Sequence, residues 1–343
     1  MKSKRSRFRS CIGCLGIVVL LLSLIGLIVG MKLDRDFSIR SNFVFLEFRN
    51  SREPLAVKLA SGKWAVVTKM NSEAMAGALE KNVKRRGDGF RWSTLSVRRK
   101  SNIWRESLLN GMVGSEVHVV EFDPEHFEFS PWFEQEGAEF VPSDSLSVLK
   151  ATGPETRFVV GANYYGPDGQ PLGWLVRDGK EIRKQWKSWS GFFFVKGGVP
   201  RFGPRSLLES TQGELTQATQ GYPSVMKDGI LFDYVTKNED EFFNGSELNF
   251  RSLAGVTEDG RIIFVLSGTG GMMDMAEVTR IAKFAGVHDA TLLDGGRALQ
   301  YGLRGPGGKE GFHSFNNTVD WDGLPQRFAP ERPPVFLLVR RKK

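Results

Sequence analysis

The chain has 343 residues, of which 41% are hydrophobic and 11% aromatic; that is enough apolar material for a large core and excludes wholesale disorder. Its formal net charge of +8 is unevenly spread: residues 111–339 carry 21 basic against 31 acidic groups, so the excess lies at the two tips and in residues 32–110. This pattern excludes a uniformly basic nucleic-acid binder, and the length allows one large domain with a smaller appendage.

The first ten residues hold five basic groups (Lys2, Lys4, Arg5, Arg7, Arg9) and no acid. No charge follows from Cys11 to Met31. Twenty-one residues at a helical rise of about 1.5 Å reach about 31 Å, enough for a bilayer core. The apolar run is longer than that of a cleaved leader, and Val29-Gly30-Met31-Lys32 is a poor cleavage site, so an uncleaved signal anchor is expected over 11–31. The basic tip 1–10 then stays cytoplasmic and the main domain lies outside, periplasmic or extracellular. Both cysteines, Cys11 and Cys14, sit at the mouth of this segment; a disulfide in the exported part is excluded, and palmitoylation is open on position alone.

Residues 32–110 read as a basic, mixed, membrane-proximal segment. Short strands are expected at Phe43–Phe48 and Trp64–Val67, and one helix over Asn71–Lys84. Between 81 and 105 nine basic residues face one acid, Asp88, with Trp92 and Trp104 interleaved. Outside the cell such a run faces anionic lipid or an anionic polymer, or is a solvated linker.

Beyond Gly111 the pattern becomes that of a sheet-rich α+β domain extending to Val339, followed by a basic tail, 340–343. Glu116–Asp123 opens it with a strand. Asp-Gly pairs at 168–169, 178–179, 228–229 and 259–260 lie beside strand-like runs and supply the positive φ angles of tight hairpins. Met275, Val278, Ile281, Ala282 and Ala285 fall on one helical face, with Asp274 and Glu277 spaced as a capping box and Gly286 as a stop. The strand Ala290–Leu293 then runs into Asp294-Gly295-Gly296. An acid at a strand end followed by two glycines holds a carboxylate rigidly and lets a ligand approach the backbone. The histidines at 118, 126, 288 and 313 show no metal-ligand spacing, so no metal is expected. No Gly-x-Ser-x-Gly, P-loop or dinucleotide fingerprint is present, so no cofactor is expected.

The block Arg251–Tyr301 resembles the C-terminal half of the phosphodiester glycosidase domain family. That domain is found in N-acetylglucosamine-1-phosphodiester alpha-N-acetylglucosaminidase and in bacterial exported proteins. Three further stretches match in order: Arg157–Gly173 with its asparagine, two aromatics and D-G-x-P-x-G; Tyr222–Gly229 as a hairpin; and Pro333–Val339 as a last strand. The resemblance implies hydrolysis of a sugar-1-phosphodiester in an envelope glycan. It offers Glu277 and Asp294 as the two carboxylates of glycoside cleavage, with Asp294 as nucleophile or base and Glu277 as acid. Arg251 would grip phosphate, Asn163 would bond a sugar hydroxyl or phosphate oxygen, and Gly270-Gly271 would present N–H groups to phosphate before a helix. Gly295 and Gly296 would complete the ligand loop. Read alone, Glu277 is equally a helix cap and Asp294 a turn residue. The chain departs from the family at Arg297-Ala298-Leu299, where small polar residues are usual, and at Ser267-Gly268. Arg297 is then either a second phosphate ligand or an ion-pair partner of Asp294. The latter would silence the site and leave a non-catalytic glycan- or phosphate-binding protein.

Overall fold

The computed structural model describes residues 17–29, 53–99, 115–237, 245–305, 312–316 and 331–343. Cys11, Cys14, the strand expected at Phe43–Phe48 and the end of the basic run beyond Arg99 lie outside them.

A ten-stranded antiparallel sheet forms the centre. Across it run Ile230–Leu231, Ser224–Lys227, Val287–Leu292, Ser252–Thr257, Ile262–Ser267, Ser115–Phe122, Phe90–Arg99, Leu55–Lys58 and Trp64–Val66, with Val83–Gly87 paired to Phe90–Arg99. Side chains alternate across a strand. In Ile262–Ser267, therefore, Ile262, Phe264 and Leu266 enter one core and Ile263 and Val265 another. Both faces are covered, which is why this strand reads as an unbroken apolar run.

On one face lie the helices Met275–Phe284 and Ser72–Lys81, whose buried sides (Val278, Ile281, Ala282; Met75, Ala78, Leu79) fill the second core. Each starts as the sequence predicts. Asn71 caps one by accepting from the Ala74 N–H, and Asp274 with Glu277 forms the full capping box of the other. The other face packs on two five-stranded sheets. One contains Leu215–Gly221 between Leu175–Arg177 and Gly191–Lys196; the other contains Thr156–Gly161 between Gln300–Arg304 and Phe336–Arg341. Phe264 is the junction, with ring centroids 4.8 Å from Phe158, 5.7 Å from Phe202 and 6.2 Å from Phe122.

The Asp-Gly turns form as expected. Asp178-Gly179 and Asp228-Gly229 have positive φ at both residues, the two-residue hairpin geometry whose twist matches its strands.

Among the described residues, 55–99 are not separate from the domain expected to begin at 111. Phe90–Arg99 pairs with Ser115–Phe122 through eight residue pairs, so 55–99 continue the central sheet across the expected boundary at 110. The basic run is also largely engaged within the molecule. Arg86 pairs with Glu80 at 2.6 Å, Arg91 with Glu121 and Arg99 with Glu277, while Arg98 lies over the Trp64 ring at 4.3 Å. Net charge along a segment did not register Glu121 and Glu277, acids brought from 30 and 178 residues away.

Residues 17–29 form a helix in which Ile17 to Val29 present eleven large apolar side chains to the exterior. Among the described residues no helix is long and apolar enough to cross a membrane. The flanks 11–16 and 30–31, which the expected span requires, lie outside them.

Candidate active site

Where Val287–Leu292 ends, the chain turns through Leu293, Asp294 and Gly295 into a short 3-10 turn, Gly296–Ala298. Gly295 crosses the carbonyl of Phe250, where a Cβ would stand 2.7 Å from that oxygen; Gly296 takes φ +59° and donates its N–H to the same carbonyl at 2.7 Å. Only glycine permits both the approach and the turn. Together they set Asp294 at the wall of a cavity of about 310 Å³, shared with Tyr164, Tyr165, Arg251, Arg297 and Glu331.

Asp294 is 7% exposed, and burial pushes its carboxyl well above the usual carboxylate range; a bond from the Gly295 N–H opposes this and the nearby Glu331 charge adds to it. Glu331, just before the last strand, forms an ion pair with Arg297 at 3.0 Å and accepts from the Tyr165 hydroxyl at 3.0 Å. The neighbouring Tyr164 hydroxyl donates to the Tyr222 carbonyl at 2.7 Å. Arg251 is buried; its Nε donates to the Met273 carbonyl at 3.2 Å and its terminal nitrogen to the Glu247 carbonyl at 2.9 Å. It lines the cavity as a fixed positive charge. The result is two carboxyl groups, two guanidinium groups and two phenols around a space of small-ligand size.

Of the expected site residues, Asp294, Gly295, Gly296, Arg251 and Arg297 meet here. Arg297 pairs with Glu331, not with Asp294.

Glu277 is elsewhere. Its carboxylate holds the Arg99 guanidinium (Oε1 at 2.8 Å), accepts the Leu55 N–H at 2.9 Å and closes the capping box on the Asp274 N–H at 3.0 Å. Every lone pair it could offer substrate already fixes the edge of the central sheet to the helix start, so the geometry favours the cap over the catalytic acid. Burial, then the charge of Glu277, raises the pKa of its partner Asp274.

Asn163 is fully buried and donates its amide NH2 to the Leu172 and Trp174 carbonyls, both at 3.1 Å, while its Oδ1 is buried without a hydrogen-bond partner among the described residues. It pins the 164–174 loop and lies outside the cavity wall, as do Gly270 and Gly271. Gly271 packs so tightly on the Glu116 carbonyl that any side chain would overlap it, and its N–H is spent on Gly268 at 3.1 Å. Gly271 thus serves packing against the Ser115–Phe122 strand, and Gly270 supplies the positive φ of the turn before it.

Residue patterns alone did not assign roles to Glu331, Tyr164 or Tyr165. The two tyrosines stood inside the Asn163–Gly173 motif; Glu331 carries no local signal. Among the described residues Asp228, His288 and Asp289 bring three potential metal-ligand atoms within 4.8 Å. This group lies at the start of Val287–Leu292, the opposite end from Asp294, and its members are neighbours in space through the 228–229 hairpin, a relation that sequence spacing does not display.

The comparisons bear on this arrangement. The family model for phosphodiester glycosidase matches residues 155–325. No curated protein matches. Among solved structures, the zebrafish N-acetylglucosamine-1-phosphodiester alpha-N-acetylglucosaminidase catalytic domain, auto-inhibited by its pro-peptide, superposes with a TM-score of 0.52 at 15% identity, over 75% of this chain and 85% of that one. At that identity the likeness shows a shared fold. A Synechocystis protein gives a TM-score of 0.46 at 11% identity, over 74% of this chain and 62% of that one. An exported protein of Burkholderia pseudomallei gives 0.42 at 11%, over 85% and 87%. Neither of these two carries weight in the argument. The motifs around Asn163, Arg251 and Asp294, the family match spanning all three, and the shared fold converge: this chain carries a domain of the phosphodiester glycosidase family over residues 155–325.

Proposed function

We propose that the chain is a membrane-anchored hydrolase that cleaves the bond between a sugar's C1 and a phosphodiester oxygen in an envelope glycan or glycoconjugate. The observation that carries this reading is the pair of unlike carboxyl groups in one cavity. Burial raises the Asp294 carboxyl well above the usual range and so favours its protonated form, and Glu331 is ion-paired to a guanidinium. Glycoside cleavage needs such a division: one group gives a proton to the departing oxygen, the other supports positive charge at C1 or activates water. Asp294 is therefore assigned as the acid and Glu331 as the carboxylate. Arg297, partly exposed at the cavity wall, and Arg251 behind it supply positive charge to the phosphate in an otherwise acidic domain. The acid role for Asp294 replaces the nucleophile or base that the family resemblance implied, because burial disfavours its charged form.

The test uses the methyl diester of N-acetylglucosamine 1-phosphate in heavy-oxygen water. Sugar–oxygen cleavage puts the label on the sugar's C1 hydroxyl and leaves methyl phosphate unlabelled; label in the phosphate would make the protein a phosphodiesterase instead. Binding of the diester that depends on Arg297 but yields no product would establish the non-catalytic alternative.

Anchoring by residues 11–31, with the N-terminus cytoplasmic, is supported by the exposed apolar helix at 17–29 and the basic tip before it. An alkaline phosphatase fusion after Lys32 should be active outside the cytoplasmic membrane; activity confined to the cytoplasm would reverse the topology.

A further inference from the structure

Beside the cavity the chain builds a second feature that the reaction at Asp294 does not use. Residues 184–190 leave the sheet as a loop carrying Trp186 and Trp189. Trp189 is 8% exposed, whereas Trp186 is 43% exposed, unusual for so large an apolar ring. The rings form a continuous chain back to the site. Tyr164, on the cavity wall, meets Trp189 edge-on at 5.2 Å; Tyr222 stacks on Trp189 at 5.9 Å; and Trp186 stands edge-on to Trp189 at 4.8 Å.

The loop is held in place rather than merely tolerated. Gln220, fully buried, accepts the Trp186 N–H at 2.9 Å and donates to the Trp186 carbonyl at 2.7 Å and the Trp189 carbonyl at 3.1 Å. Its oxygen also accepts the Trp174 N–H at 2.9 Å. From the other side Arg205 donates to the Gln185 side chain at 2.8 Å and to the Lys187 and Trp189 carbonyls at 3.2 and 3.3 Å. Two buried or half-buried polar side chains thus fix the backbone on both sides of an exposed indole. Folding alone gains nothing from presenting that ring to water. Preorganising it reduces the ordering cost of binding a partner.

We infer that Trp186, backed by Trp189, is a stacking platform for a further sugar ring of the substrate, on the side of the phosphate away from the cleaved bond. The inference rests on the phosphodiester glycosidase reading of the Asp294 cavity. Three observations select a sugar. The cavity, at about 310 Å³, is at the small end of ligand sites and takes one sugar with its phosphate, so a longer glycan must continue over the surface. The aromatic chain begins at Tyr164 on the cavity wall and ends at the exposed Trp186 ring. The apolar C–H faces of a pyranose match an indole face, while its rim hydroxyls remain in water beside the exposed Lys184, Lys187 and Ser188.

The test compares two diesters of N-acetylglucosamine 1-phosphate, one closed by methanol and one by maltose, on the full chain in detergent. The kcat/KM advantage of the maltosyl over the methyl diester should fall about tenfold in Trp186→Ala, through KM, and be largely restored in Trp186→Phe. An unchanged ratio would overturn the platform. Binding is read independently by tryptophan fluorescence: saturable quenching by the maltosyl but not the methyl diester, lost in Trp186→Phe, supports the platform whether or not either diester is hydrolysed. Equal quenching by both, or none, overturns it. Loss of binding to phosphatidylglycerol vesicles in Trp186→Ala, with the substrate ratio intact, would assign the ring to the membrane surface instead.

Discussion

Asp294 and Glu277 are both buried acids near glycine-rich turns, and their surroundings give them opposite properties. Glu277 is matched by the Arg99 guanidinium and two backbone N–H groups, so its charge is compensated. Removing it strands a buried arginine. Glu277→Gln should cost about 3–5 kcal/mol in chemical denaturation, and pairing it with Arg99→Met should recover part of that loss. A loss of catalysis without loss of stability would return Glu277 to the chemistry. Asp294 has no such compensation, and its folded-state pKa lies above the unfolded value. The folded state then holds the proton more tightly, and stability falls as pH rises from the unfolded pKa, about 4, through the raised folded value. Asp294→Asn removes this penalty. The variant should gain stability over wild type as pH rises above about 4, with the gap widening until the raised folded-state pKa is passed. Parallel stability curves would mean that Asp294 is ionised in the folded protein.

The element that delivers Asp294 is the strand Val287–Leu292, and its fit depends on glycines from another sheet. Gly221 lies so close to the Leu292 carbonyl, and Gly191 to the Thr291 hydroxyl, that a Cβ at either position would overlap. Gly221→Ala should cost about 1–3 kcal/mol as overpacking, and because Leu292 lies two residues before Asp294 it should also lower kcat. Full activity in a destabilised variant would show that the site tolerates movement of this strand. Much of this element was legible in the sequence. The capping box, the apolar helix face, the Asp-Gly hairpins and the acid followed by two glycines are local patterns, and they formed where they were read. What was not legible depends on contacts across the chain. Arg99 reaches Glu277 over 178 positions, and Glu331 enters the cavity from beyond the matched domain. No local periodicity marks either.

At the scale of the molecule, one sheet unites residues 55–99 with the phosphodiester glycosidase-family domain, and Arg91 and Arg99 of the N-terminal portion pair with Glu121 and Glu277 of that same body. The bulk acidity of residues 111–339 means that the proposed phosphate recognition rests on local positive charge, Arg251 and Arg297 at one cavity. The proposed hydrolysis therefore depends on that cavity, and above all on Asp294 as its proton donor. The most direct measurement is the rate of N-acetylglucosamine release from its methyl 1-phosphodiester by the full chain, followed across pH for wild type and Asp294→Asn. The account predicts saturable release that declines as pH rises through the raised pKa of Asp294, and a loss of at least about 100-fold in the folded variant. Release by Asp294→Asn at the wild-type rate, or no release by the wild type at any pH, would contradict it.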